Sequence, residues 1–161
     1  MTLRTSRRNG TLLAAANASP DKGKAHPVKL YARTLLDKAS ENSAVAMHCL
    51  STGQFNAAAN RLYYGLYQAM LGCLHHQTGF RAPSSNEHGV VLNEFDRVFV
   101  KTTSLLDEAT FRKSFELKNK RNTADYKPTH ISGPEIAPLA AIIAPAIATI
   151  VRYAEAQRGQ S

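Results

Sequence analysis

The sequence contains only two cysteines, Cys49 and Cys73, in 161 residues. Each lies among the apolar positions of a predicted helix, where a free cysteine usually behaves as a small buried hydrophobic residue. This number and placement argue against a disulfide framework. Strand-like alternation, internal repeats and long low-complexity tracts are also lacking. These absences favour an all-α protein with a single domain of ordinary size.

Acidic residues are scarce, because 12 Asp and Glu stand against 20 Lys and Arg, for a formal net charge of +8. A basic chain favours anionic partners, and RNA, DNA and acidic proteins all fit that charge. Part of the excess lies before Leu30, and the rest crowds the short region from Arg112 to Lys127. We expect a basic surface at the second region, with an ordinary solvated helix face as the alternative.

The N-terminal region lacks an apolar run long enough for a signal peptide. Ser6-Arg7-Arg8 precedes the apolar residues 12–16, which superficially suggests a twin-arginine signal. That run is shorter than the ~7–15 residues of a signal core, and polar residues follow at once. We therefore predict that residues 1–28 form a disordered basic leader, that residues 29–158 form the folded domain, and that the protein is cytoplasmic.

Five segments carry apolar residues at helical spacing. A short connection at Gly53 joins the first two, which predicts an antiparallel helix pair. Pro128 limits the fourth segment and places its polar end at a helix C-terminus. The five predicted helices run from Leu30 to Leu50, from Phe55 to about Leu74, from His88 to near Lys101, from Leu106 to about Asp125, and from Ile136 to about Ala154.

The last predicted helix is preceded by Ser132 and Glu135, which have the spacing of a capping box. Residues 136–151 are almost all apolar, so a membrane span has to be weighed. The run falls short of the ~20 residues that a span needs, and it contains Pro138 and Pro145. We expect a buried helix and no association with a membrane.

Histidine is present, but not in a pattern that binds metal. His75 and His76 are adjacent and point apart on a helix, and His88 has no carboxylate and histidine partners at ligand spacing. We therefore predict no metal site and no cofactor.

Three blocks of the sequence, in this order, are similar to HEPN domains of the branch with a double tyrosine. The first is FNAAANRLYYGLYQAMLGCL, the second is EHGVV followed by Phe95 and FVKT, and the third is RNTADY from Arg121 to Tyr126. Together they cover roughly residues 30–127. The resemblance implies an antiparallel four- to five-helix bundle that acts on RNA.

Many HEPN proteins are metal-independent ribonucleases in which a histidine follows the arginine by four to six residues. Tyr126 stands where that histidine commonly lies, and His130 falls beyond Pro128. A phenol with a pKa near 10 deprotonates a ribose 2′-hydroxyl far less well than an imidazole near 6.5. Arg121 still provides the charge that stabilises a phosphorus-centred transition state.

Three interpretations remain open for the candidate catalytic residues Arg121, Asn122, Asp125 and Tyr126. In the first, the domain is a ribonuclease in which Arg121 clamps phosphate, Asn122 positions it, and Asp125, His130 or another residue is the base. In the second, the same residues bind RNA, nucleotide or a protein without cleavage. In the third, Arg121 and Asp125 form an internal ion pair, and Tyr126 caps the core. The candidate RNA-binding lysines are Lys118, Lys120 and Lys127.

The resemblance also implies partners. HEPN proteins of this kind often accompany a small nucleotidyltransferase in toxin–antitoxin pairs, and some transferases adenylylate a tyrosine near the motif. Tyr126 is the candidate acceptor, although the position equivalent to the modified tyrosine of those proteins holds Pro128. Family members commonly dimerise with two arginine motifs facing one cleft, so we expect a homodimer.

The tyrosines of the second helix allow two interpretations. Tyr63, Tyr64 and Tyr67 lie near Arg61, a combination that can stack on nucleic-acid bases. Tyr63 and Tyr67 also share a helix face with apolar residues, and phenols bury well when each hydroxyl has a partner. We expect all three to pack in the core. HEPN proteins commonly have a histidine at the position of His88, where it caps or packs.

Overall fold

The computed structural model describes residues 27–85 and 87–157, which contain five α-helices and no strand. The all-α fold predicted from the sequence is confirmed. A π-helical turn, Asp96–Val100, extends the third helix. The helices are α1 (Pro27–Ser51), α2 (Phe55–Thr78), α3 (Glu87–Phe95), α4 (Glu108–Tyr126) and α5 (Gly133–Ala156).

The first two helices form an antiparallel pair that glycine brings close together. A Cβ built on Gly65 would lie 3.1 Å from the carbonyl oxygen of Ala39, and one built on Gly72 would lie 3.1 Å from Leu36. Contacts therefore move toward the start of α1 as they move toward the end of α2. Close backbone approach of this kind requires the absence of a side chain.

Helix α2 is the centre of the bundle, because it contacts each of the other four α-helices. The apolar positions predicted for α2 and α5 are buried in one core. Both cysteines are buried and free, as expected. The buried residues of the α2 and α5 stripes are Ala59, Leu62, Leu66, Met70, Cys73, Ile136, Leu139, Ile143, Ile147, Ile150 and Ala154.

One helix boundary differs from the expectation, and helix α4 buries fewer of its apolar side chains than its sequence suggests. Helix α1 begins at Pro27, so the last two residues of the predicted leader belong to the bundle. The rest of the leader lies outside the described residues. Phe111 is buried, whereas Phe115, one turn later, is 43% exposed. The physical reason is that α4 buries only a narrow stripe and leaves most of its surface in solvent.

Helix α5 begins as the capping-box pattern predicted. The Glu135 carboxylate accepts hydrogen bonds from the backbone N–H of Ser132 at 2.9 Å and from its hydroxyl at 2.8 Å. By length and composition α5 is also apolar enough to cross a membrane, a test that core helices pass as well. Within the bundle, 44% of its most apolar window is buried.

Helix α4 carries the polar motif at its C-terminal end. Asp107 caps the start of the helix by accepting a hydrogen bond from the Thr110 N–H at 2.8 Å. At the other end Lys127 is extended, and Pro128 follows it. The chain then turns into α5, so the motif lies where α4 ends beside α2.

Candidate functional site

Arg121 lies at the centre of a polar cluster between α2 and α4, with its side chain only 14% exposed. Its Nη2 donates a hydrogen bond to the Tyr64 hydroxyl at 2.9 Å. Its Nη1 donates to the Asn122 side-chain oxygen at 3.2 Å. A guanidinium has two N–H groups on each terminal nitrogen, so one on each remains for a ligand such as a phosphate.

The predicted pair of Arg121 and Asp125 is present. Nε of Arg121 lies 2.8 Å from Oδ2 of Asp125. The N–H is not aligned for a hydrogen bond, so this contact is an ion pair only. The carboxylate is held from the other side by the Asn60 amide, which donates to both of its oxygens at 2.9 and 3.1 Å. Asp125 therefore partly neutralises Arg121 and is itself fixed to α2.

Three tyrosine rings surround the guanidinium. The Arg121 carbon Cζ lies 5.3 Å from the ring centre of Tyr126, 5.4 Å from that of Tyr64 and 6.0 Å from that of Tyr63. Such contacts stabilise a cation through the negative face of the ring. Tyr126 is 73% exposed, so the expectation that it caps the core is wrong. Because Tyr126 is the last residue of α4, its side chain is directed to solvent, and its ring covers one side of the Arg121 guanidinium.

His88, at the start of α3, joins the cluster through the tyrosines of α2. Its Nδ1 lies 3.1 Å from the hydroxyl of Tyr63, and its ring centre lies 4.3 Å from that of Tyr67. Tyr67 in turn donates a hydrogen bond to the Glu87 carboxylate. Burial raises the pKa of Tyr63 to about 12, so this phenol stays protonated at neutral pH. His88 is thereby fixed in place by α2.

The surroundings of His88 keep it uncharged. Partial burial lowers its pKa below the usual value of 6.5, Glu87 opposes that shift, and the positive charges of Arg121 and Lys118 add to it. A histidine with a lowered pKa is neutral at pH 7 and can accept a proton. The cluster thus combines a cation and an available base, although no histidine follows Arg121 at the usual spacing.

The three candidate lysines lie in different environments. Lys118 is close enough to His88 to lower the pKa of its imidazole. Lys120 is ion-paired with Glu135 at 2.7 Å and so links α4 to α5. Lys127 is exposed just beyond the end of α4. Of the three lysines, only Lys118 therefore interacts with the cluster around Arg121 within the described part of the chain.

His130 contacts a different part of α2. Its Nδ1 lies 3.5 Å from the amide nitrogen of Asn56, and it is exposed. Asn56 is one helical turn before Asn60, which holds Asp125. His130 therefore lies beside the carboxylate end of the cluster, whereas His88 lies beside the tyrosines.

Two residues of the cluster were missed from the sequence. Asn60 did not feature in any interpretation, and Tyr64 was expected in the core, yet it is half-buried and bound to Arg121. Both lie one turn apart on α2, and they face Asp125 and Arg121, one turn apart on α4. The signal available in the sequence was the matching four-residue spacing of Asn60 and Tyr64 on α2 and of Arg121 and Asp125 on α4. Tyr63 and Tyr67 are buried as expected.

No known protein-family model matches this chain, and no curated protein matches it significantly. The similarity to HEPN domains therefore depends on the three sequence blocks described above, and the geometry of the cluster is the basis for a functional proposal.

Proposed function

We propose that this protein is a HEPN-like, RNA-directed component of a toxin–antitoxin or defence system, and that it cleaves RNA in the cytoplasm without a metal ion. The observation that carries the proposal is the convergence of Arg121 and His88 on one tyrosine-lined cluster, where partial burial lowers the pKa of His88. The cation and the base come from α4 and α3. His88 takes the role that a histidine after Arg121 would otherwise have.

The proposed reaction is a transesterification within the RNA. The two unoccupied N–H groups of Arg121 bind the phosphate and stabilise the negative charge that develops on its oxygens. In the tautomer that we propose, Nδ1–H of His88 donates to the Tyr63 oxygen 3.1 Å away, and Nε2 takes the proton from the 2′-hydroxyl. The 2′-oxygen then bonds to phosphorus, the 5′-oxygen leaves and takes a proton from water, and a 2′,3′-cyclic phosphate remains.

The second candidate is a binding module that holds RNA, nucleotide or a protein without cleavage. It is favoured by Tyr126, which is 73% exposed beside the guanidinium and offers a ring on which an unpaired base stacks. Asp125 also limits the net positive charge at Arg121. Cleavage remains the preferred function, because it uses both Arg121 and His88, whereas binding uses Arg121 and Tyr126 and leaves His88 with a packing role only.

The partners belong to the same proposal. The exposed phenol of Tyr126 is accessible to a nucleotidyltransferase-type antitoxin, for which it is the candidate adenylylation site. Two copies of the chain that bring their Arg121 clusters together would double the charge available to an RNA backbone. We therefore propose a homodimer, which light scattering on the purified protein tests directly.

The test uses end-labelled RNA in excess EDTA with the wild type, Arg121→Gln and His88→Gln. Wild type should cleave and leave cyclic-phosphate ends, while each variant should lose roughly 100-fold or more in rate. Arg152→Gln is the matched control, because Arg152 is exposed on α5 and bonds only to Thr149 among the described residues. Melting curves establish that all four proteins fold.

The outcomes separate the candidates. If wild type binds RNA in a salt-sensitive manner but never cleaves it, the binding module is correct. If neither activity is found and Arg121→Gln only lowers the melting temperature, the cluster is a structural ion-pair network.

A further inference from the structure

A separate cavity of about 480 Å³ lies between α1, α2 and the segment that leads into α3. Its size falls in the range of roughly 300–1,000 Å³ that is typical of small-molecule sites. The residues that line it divide by burial. Leu71 and His75 are buried and form its floor, whereas Tyr31, Arg81, Pro83 and Glu87 are exposed or half-exposed and form its rim.

His75 places an unpaired acceptor at the floor. The side chain is 3% exposed, and its Nδ1–H donates a hydrogen bond to the carbonyl oxygen of Phe80 at 2.8 Å. In a neutral imidazole that bond fixes the tautomer and leaves a lone pair on Nε2. Nε2 is buried and has no hydrogen-bond partner among the described residues. Native proteins rarely leave such an atom unsatisfied, which points to a donor supplied by a ligand.

Tyr31 lies against the imidazole that carries this acceptor. Its ring meets the His75 ring edge-on, with 4.9 Å between the centres, and the side chain is 50% exposed. An exposed tyrosine changes rotamer readily. A planar ligand that displaces the Tyr31 ring from His75, and then packs against that ring, brings its own N–H or O–H donor to Nε2 of His75.

The rim carries one charge of each sign. Arg81 has no ion pair or hydrogen bond with any residue that the structure describes, and it is exposed. Glu87 accepts a hydrogen bond from Tyr67 through Oε1, which leaves Oε2 for a second donor. A cation and an anion at one opening match the carboxylate and the ammonium group of a zwitterion.

We propose that this cavity binds an α-amino acid whose aromatic side chain carries an N–H or O–H donor, the class of tryptophan, tyrosine and histidine. Arg81 binds the carboxylate and Glu87 binds the ammonium group. The aromatic ring packs between Tyr31 and Pro83, and its donor reaches Nε2 of His75. The cavity shares Glu87 with the His88 side of the Arg121 cluster, but the proposal does not depend on RNA cleavage.

The chain offers a direct measurement, because it contains no tryptophan. Fluorescence of added L-tryptophan, excited where tyrosine does not absorb, reports the ligand alone. We expect a saturable blue shift with the wild-type protein. Arg81→Gln should weaken binding by about tenfold, the scale of a charge-assisted hydrogen bond, and the control Arg152→Gln should leave it unchanged.

The ammonium contact has its own test. Indolepropionate lacks the amino group, so wild type should bind it about tenfold more weakly than tryptophan, and Glu87→Gln should abolish that preference. Melting curves confirm folding of each variant. Binding of tryptophan is measured by fluorescence, and binding of tyrosine and histidine by calorimetry. The proposal is overturned if none of the three amino acids binds saturably. It is also overturned if Arg81→Gln binds as tightly as wild type, or if the amino group makes no difference.

Discussion

Arg121 is held by neighbours that both position and restrain it. Tyr64 and Asn122 orient its terminal nitrogens, while Asp125 offsets part of its charge. A phosphate has to compete with that carboxylate. The restraint is useful for positioning, because a guanidinium that is already ordered loses less side-chain entropy when it binds.

Asp125→Asn separates the charge of Asp125 from its shape. The amide keeps an oxygen beside Arg121, so we expect a loss of only about 1–2 kcal/mol in the free energy of unfolding. RNA binding should become tighter, because the competing negative charge is gone. Denaturant unfolding and filter binding measure the two effects. If cleavage instead disappears while binding persists, Asp125 rather than His88 is the base.

His88 makes stability depend on pH. Its pKa is lowered in the folded state, so the unfolded chain binds a proton more readily as the pH falls below about 6.5. The stability that neutral His88 provides is present above that pH and is lost as the pH falls through the folded pKa. The melting temperature of wild type should therefore fall more steeply on acidification than that of His88→Gln. Parallel pH curves for the two proteins would contradict this.

The sequence predicted part of the site. Arg121 and Asp125 lie four residues apart on one helix, so their pairing follows from local geometry. The contributions of Asn60, Tyr64 and His88 depend on how α2 and α3 are placed against α4, and no local pattern specifies that placement. For Tyr126, the helical period places the ring beside Asn122, one turn earlier, but it specifies neither the contact with Arg121 nor the exposure of the helix end.

Helix packing positions the cluster, and Gly65 is a point of close backbone approach in that packing. An alanine Cβ there would lie 3.1 Å from the Ala39 carbonyl, 3.3 Å from the Ser43 nitrogen and 3.3 Å from Ile147. Two of these neighbours are backbone atoms, which move only if α1 shifts. The contact thus sets the separation of α1 and α2.

Gly65→Ala tests this element directly. Overpacking typically costs about 1–3 kcal/mol, and the better helix propensity of alanine returns about 1 kcal/mol. We expect a net loss of about 1 kcal/mol, and at most about 2 kcal/mol, in unfolding free energy, measured by urea denaturation. An unchanged or raised stability would mean that the two helices tolerate a wider spacing.

At the scale of the elements, most of the fold was predictable. Apolar spacing of three and four residues identified all five helices, and the glycine, proline and capping signals marked their ends. The burial of α4 was harder to predict than its position, since the spacing of its apolar residues does not show how narrow its buried stripe is. Phe115 is exposed for that reason.

Across the whole molecule, the excess of positive charge sets the expected binding behaviour. The net charge of +8 predicts that RNA affinity falls steeply with salt. Arg121→Gln should reduce the slope of log affinity against log salt by about 0.7, the value for one phosphate contact on a single strand. Titrations at several salt concentrations measure it. An identical slope for the variant would place the RNA away from Arg121.

The single-turnover rate of RNA cleavage in EDTA, measured against pH for wild type and His88→Gln, decides whether His88 is the base. Wild type should cleave RNA, and its rate should fall on the acid side as His88 becomes protonated. The variant should lack this acid limb and be slower near pH 7. A wild-type protein that leaves RNA intact, or a variant with the same pH profile, would contradict cleavage with His88 as the base.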